Sequence, residues 1–319
     1  MTRDSRSDQS VDRSVVAICG NPNSGKTTIF NAMTGLSQKV GNYPGVTVEK
    51  VTGFFDDPDR PDHRYQLVDI PGTYSLAAFS PDEYIAASAL YGGLDCQDRP
   101  DVLICVIDAT NLERGLYLLL QVMQVGLPII VALNMSDVAN RRGIRIDAAA
   151  LSRELGGAPV VPVVGNRSQG IKELKRAVTE MVTNPVVPEP FSLDPDTEKL
   201  LESIAAMDDG HRRTRAEYLR IIFDVEGPAE KRFLHELKGQ ASTSEYDRVR
   251  QELADGRERI RGVGGTLAAA ETIALTRRAA ELSDSVTSAI DRDRKTRSEQ
   301  IDRFLLHPIL GPIALVVMM

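Results

Sequence analysis

The sequence is poor in the residues that build covalent or metal frameworks. It has three cysteines in 319 residues. Cys19 and Cys105 lie inside apolar, strand-like runs (SVVAIC and VLICVID), and Cys96 alone cannot make a pair, so neither a disulfide framework nor a cysteine metal site is expected. The four histidines, His63, His211, His235 and His307, are scattered and show no ligand spacing. There is no long basic face. Lys plus Arg is 38 against 45 Asp plus Glu, a net charge of -7, which gives no field for nucleic acid. The first fourteen residues, MTRDSRSDQSVDRS, lack the apolar core of a signal peptide or anchor and read as a tail over 1–13.

What is present is enough for a sizeable core, with 42% apolar and 26% charged residues, and the length suits two domains. Residues 14–182 alternate strand-like and helix-like runs. SVVAIC leads into GNPNSGKTTIFNAMTGL; VTVEKVTGFF and RYQLVDI are joined by the polar turn DDPDRPDH; DVLICVID, PIIVALNM and PVVPVVG follow, separated by helical segments such as ERGLYLLLQVMQVG. This order predicts an α/β domain, an open and mainly parallel sheet covered by helices, with ligands at the C-terminal ends of the strands.

TNPVVPEPFSLDP, 183–195, carries four prolines and reads as a linker. A small all-α domain is predicted over 196–300, opening at Asp194-Pro195 with Leu200, Leu201, Ile204 and Met207 on one face. Ser242 and Glu245 have capping-box spacing, and Leu275, Leu282 and Val286 mark a further helix. After Arg303 come sixteen residues without formal charge, FLLHPILGPIALVVMM. That is short of the roughly 20 a spanning helix needs, and 301–319 is expected to be the start of a membrane segment.

The chemistry sits in the first domain. GNPNSGKT fits the phosphate-binding pattern G-x-x-x-x-G-K-[ST] between a strand and a helix. Backbone N–H groups of Gly20, Asn21, Asn23, Ser24, Gly25, Lys26, Thr27 and Thr28 would wrap phosphates, Lys26 would reach the β and γ oxygens, and Thr27 would offer its hydroxyl to Mg²⁺. Asp69-x-x-Gly72 places a carboxylate near the metal and a backbone N–H near the γ-phosphate. In Asn134-x-x-Asp137 a carboxylate can accept both donors of guanine's N1 and N2 edge, which selects GTP and GDP over adenine nucleotides. Thr47, after Gly45 and Val46, is the candidate switch threonine, reaching Mg²⁺ only when the γ-phosphate is present. The fifth motif is atypical: Val164 and Gly165 stand where a Ser-Ala pair would be, with backbone N–H groups left to meet the base and looser affinity expected. The glutamine that orients water in small signalling GTPases is replaced by Thr73, which is too short for that role.

QKVGNYPGVTVEK, LVDIPGTYSL with SPDE after it, PDVLICVIDATNLERGLYLLLQ with ALNMSD, and IDRFLLHPILGP resemble the FeoB-type ferrous iron transporters. The resemblance covers about 15–182 and 301–312. It departs at Gly115, where asparagine usually follows the arginine, at Tyr43, where tryptophan is common, and at the fifth motif. It implies a cytoplasmic GTPase domain, a helical domain that strengthens GDP binding, and a multi-span membrane domain moving Fe²⁺, with the membrane domain and small accessory transport proteins as partners and a homo-oligomer as a further option. It also implies that K⁺, held by Asn23, replaces the missing glutamine, so that Asn23, Lys26 and Thr47 carry catalysis and Thr27, Thr47 and Asp69 hold Mg²⁺. Asn23 as a plain turn residue is the alternative. For the whole chain the alternatives are a soluble K⁺-dependent GTPase of ribosome assembly or tRNA modification, and a nucleotide switch without turnover.

Overall fold

Seven strands form one twisted sheet in the order β2-β3-β4-β1-β5-β6-β8. The computed structural model describes residues 14–43, 48–60, 62–77, 87–90, 99–208, 213–240 and 242–289. The strands are β1 (Val15–Gly20), β2 (Gln38–Asn42), β3 (Glu49–Asp56), β4 (Arg64–Asp69), β5 (Val102–Asp108), β6 (Ile129–Asn134) and β8 (Val160–Pro162). β4, β1, β5, β6 and β8 run parallel, and the β2-β3-β4 edge is antiparallel. The mainly parallel α/β sheet predicted from the alternation of runs is therefore the observed one.

The central strands β1, β5 and β6 are buried on both faces, which is why they read as continuous apolar runs rather than alternating ones. Their side chains divide with period two. Val16, Ile18, Ile104, Val106, Ile130 and Ala132 pack against α1 (Lys26–Thr34) and α5 (Ile171–Thr183). Ala17, Cys19, Leu103, Cys105, Val131 and Leu133 face α2 (Leu112–Met123) and α4 (Ala148–Glu154) on the other side. Each wholly buried Ile or Leu contributes roughly 1.5–3 kcal/mol. α3 (Ser136–Arg141) follows β6 directly.

Beyond the proline-rich segment come α6 (Pro195–Ala206), α7 (Arg215–Phe223), α8 (Pro228–Gln240), α9 (Thr243–Gly264) and α10 (Leu267–Val286). The expected caps are formed. Asp194 accepts from the N–H groups of Asp196 and Thr197, and Ser242 with Glu245 makes a reciprocal capping box. α6 to α9 enclose their own core around Leu200, Ile204, Ile222, Phe233 and Ile260. The last helix is shared: its first turn joins this core through Leu267 and Ala270, and the rest leaves it. Leu275, Ala279, Leu282 and Val286 of α10 join the core formed by α2 and the sheet. Its exit strand β9 (Thr287–Ala289) pairs antiparallel with β7 (Ile144–Ile146), just after α3.

Among the described residues no helix is long and apolar enough to cross a membrane. The tail 1–13, Cys96, SPDE and the apolar run 301–319 lie outside the described residues.

Candidate nucleotide-binding site

The phosphate-loop sequence leaves β1 at Gly20 and enters α1 through Gly25, whose φ of 85° is a left-handed value. A side chain could not stand there, because a Cβ on Gly25 would lie 2.1 Å from Asn134 Nδ2. The first bond of α1 runs from the Ile29 N–H to the Gly25 carbonyl at 3.0 Å, and no side chain caps the helix. The N–H groups of Lys26, Thr27 and Thr28 thus face the open helix end, with no acidic residue in the first turn to repel an anion. Thr27 and Thr28 are exposed; Ser24 is buried, and its hydroxyl has no hydrogen-bond partner.

Asp69 closes β4 beside β1, and its carboxylate pairs with the Lys26 ammonium. Burial pushes the Asp69 carboxyl above its ordinary value, against the pull of Lys26. Tyr43 is buried with its hydroxyl donating to the Asp69 carbonyl at 3.1 Å, a fixed anchor where tryptophan is common in the resembling family. Its N–H donates to the Val48 carbonyl at 3.0 Å. Gly45, Val46 and Thr47, between these two, lie outside the described residues. Gly72 lies under the phosphate loop, its Cβ position 3.5 Å from the Pro22 backbone.

Thr73 has a structural task in place of glutamine's. It is 3% exposed; its hydroxyl donates to the Ser75 carbonyl at 2.6 Å and accepts from the Ser75 N–H at 3.2 Å. Its N–H donates to the Gly20 carbonyl and its carbonyl accepts from Asn21 Nδ2, both at 3.3 Å. Asn23, by contrast, is exposed with φ 65°, a conformation asparagine tolerates better than most residues, and makes no hydrogen bond to a described residue.

Asn134 and Asp137 come to the same end of the sheet but do different things. Asn134 is buried; its Nδ2 donates to the Ser24 carbonyl at 2.9 Å and its Oδ1 accepts from the Gly165 N–H at 3.1 Å. It is a strut between the phosphate loop and the loop after β8. The Val164 N–H is likewise spent, on the Gln169 carbonyl at 3.0 Å, so both N–H groups that sequence offered to the base are already donated. The signal missed was the reach of Asn134, whose partners lie 110 and 31 residues away. Asp137 sits in the first turn of α3, its carboxylate paired with Arg141 at 2.9 Å and with Arg167 at 4.0 Å.

The hydroxyl of Thr27 and the carboxylate of Asp69 are hard oxygen donors of the kind Mg²⁺ prefers, so the residues present fit that ion.

A family model described as Ferrous iron transport protein B matches residues 14–178, just over half of the chain. The chain belongs to the FeoB family. It is 49% identical over 173 residues to the Fe(2+) transporter FeoB of Shigella flexneri, covering 53% of this chain and 21% of that protein. With the FeoB of Salmonella typhimurium strain LT2 it shares 51% over 167 residues, 51% of this chain and 20% of the relative. The matched part thus spans about a fifth of these relatives' length. Among solved structures, a GDP-bound mutant of the S. thermophilus FeoB fragment superposes with TM-score 0.72 at 28% identity, covering 86% of this chain and all of that one. The cytosolic domain of L. pneumophila FeoB gives 0.67 at 32%, again over 86% of this chain and all of that one. The T. maritima FeoB cytosolic domain in its GMPPNP form gives 0.67 at 29%, over 86% and 99%. These likenesses make the fold a FeoB-type G domain with a helical part, and they do not favour the ribosome-assembly or tRNA-modification alternative.

Proposed function

We propose that this chain binds GTP and GDP, hydrolyses GTP slowly, and is the cytosolic portion of a ferrous iron transporter at the inner face of the cell membrane. The observation that carries the reading is the convergence of the α1 N-terminus, Lys26 with Asp69, and Asp137 at one edge of the parallel strands. The S. thermophilus relative is known bound to GDP and the T. maritima relative in a GMPPNP form, which supports a guanine nucleotide here.

Phosphates would be held by the N–H groups of the loop from Gly20 to Thr28, and Lys26 would exchange Asp69 for β and γ oxygens. Thr27, Asp69 and Thr47 would hold Mg²⁺, which supplies charge neutralisation at the phosphates. Asp137 reads guanine, while Asn134 keeps the phosphate loop and the base loop at a fixed separation. Asn23 would ligate K⁺, and the resemblance supports this role where Thr73 is locked away from the reaction. The switch segments would report nucleotide state through the helical part to the membrane domain.

Calorimetric titration with GDP against ADP, on the wild-type chain and Lys26→Ala, tests the reading. It predicts GDP binding, no ADP binding, and a loss of affinity in the variant. Equal binding of both nucleotides, or of neither, overturns it.

A further inference from the structure

Tyr74, Ser75 and Leu76, just after Gly72 of the Asp-x-x-Gly motif, lie along one stripe of α2 formed by Arg114, Tyr117 and Gln121, spaced i, i+3 and i+7. The Arg114 guanidinium stacks 4.2 Å from the centre of the Tyr74 ring. Tyr117, whose pKa burial raises, has Ser75 on one side and Thr272 of α10 on the other. Gln121 is 4% exposed, and its Oε1 accepts the Leu76 N–H at 2.9 Å. Its Nε2 makes no hydrogen bond of normal geometry, yet it faces the Glu271 carboxylate closely enough to favour its ionised form, across a cavity of about 10 Å³ also lined by Arg220 and Leu76. Glu271 of α10 is buried and paired with Arg220 of α7, which also binds Asp224 at 3.0 Å. One side chain therefore touches the switch on one side and the joint of two helices from the C-terminal part on the other.

We propose that Gln121 is a positioning residue for GTP hydrolysis: it fixes the segment after Gly72 through the Leu76 amide and sets that segment's position against the Glu271–Arg220 pair. The inference rests on the GTPase reading above. Leu76 is buried and cannot shift along α2 without breaking its amide's bond to Gln121, so two positions of the segment would be distinct rather than graded. A movement of α10 relative to α2 displaces the Glu271 side of the same glutamine. Gln121 itself contacts neither the phosphate loop nor Asp137; the segment it holds meets the phosphate loop through Thr73, bonded to Gly20 and Asn21, so loss of the Gln121 acceptor is expected to weigh on turnover more than on nucleotide affinity.

The variant is Gln121→Met, which keeps the side-chain volume and removes the acceptor. The proposal expects kcat for GTP to fall about fivefold or more, with KM and GDP affinity within about twofold of wild type. An unchanged kcat in a variant whose wild-type parent binds and hydrolyses GTP overturns this proposal alone. A fall in kcat accompanied by equal losses in GDP affinity and melting temperature makes Gln121 a merely structural residue and overturns it too. A wild-type chain that binds no guanine nucleotide overturns the underlying reading as well. Should the variant not fold, amide exchange at Leu76 in the wild-type chain decides. Protection that differs between GDP and a non-hydrolysable GTP analogue supports the proposal, and identical protection overturns it.

Discussion

Asn21 donates its side-chain N–H to the carbonyl of Thr73 at 3.3 Å, so the phosphate loop and the segment after Asp-x-x-Gly are tied by the residue that occupies glutamine's usual place. Thr73 spends its hydroxyl proton on the Ser75 carbonyl and has no donor left for water.

Replacing Thr73 with Gln is therefore expected to slow GTP turnover rather than speed it, because the longer side chain has no room in a site that is 3% exposed. Thr73→Val keeps the shape, loses both hydroxyl bonds, and should cost about 1–2 kcal/mol of stability. Turnover assays and thermal melts of the two variants check this.

Asn134 and Asp137 belong to one motif but should fail differently. Asn134→Ala leaves the Ser24 carbonyl and the Gly165 N–H unpaired, and is expected to lower both melting temperature and GDP affinity, at about 1–3 kcal/mol for each orphaned group. Asp137→Asn keeps the fold and inverts the base preference, since an amide donor opposite the base suits xanthine's carbonyl and not guanine's amine. Calorimetry with GDP and XDP distinguishes them.

Parts of this were legible in the sequence and parts were not. β1, β5 and β6 announced themselves because strands buried on both faces must be apolar throughout. β2, exposed along its length, and the three-residue β7 and β9 carry no such pattern; their pairing depends on partners distant in the chain. The motifs located the site, and motif spacing alone did not show that Asn134 and Thr73 act as struts. Their partners come from loops that only the folded sheet brings together. The return of α10 to α2 was equally hidden, because Leu275, Leu282 and Val286 mark an apolar face without saying what covers it.

Gly115 shows why a departure from the family pattern need not be a defect. A Cβ there would stand 2.4 Å from Ile107 Cγ2, an atom on a stiff β-branched side chain of β5. Restoring asparagine, Gly115→Asn, is expected to destabilise the chain by about 1–3 kcal/mol by overpacking, measured by denaturant titration.

Burial raises the Glu271 carboxyl above its ordinary value of 4.5, with Arg220 and Gln121 pulling it down and Asp224 pushing it up. Between that value and the raised one the folded chain holds a proton the unfolded chain has released. Glu271 thus contributes stability that is complete below 4.5 and lost as pH rises through the folded value. Melting temperature against pH should fall across this window in wild type, and the slope should be smaller in Glu271→Gln.

The most direct test of the account is GTP turnover by the purified chain in K⁺ against Na⁺ at equal ionic strength, with Asn23→Ala alongside. The account predicts phosphate release that is faster in K⁺ and loses that advantage in the variant. Equal rates in the two salts, or no release in either, would contradict it.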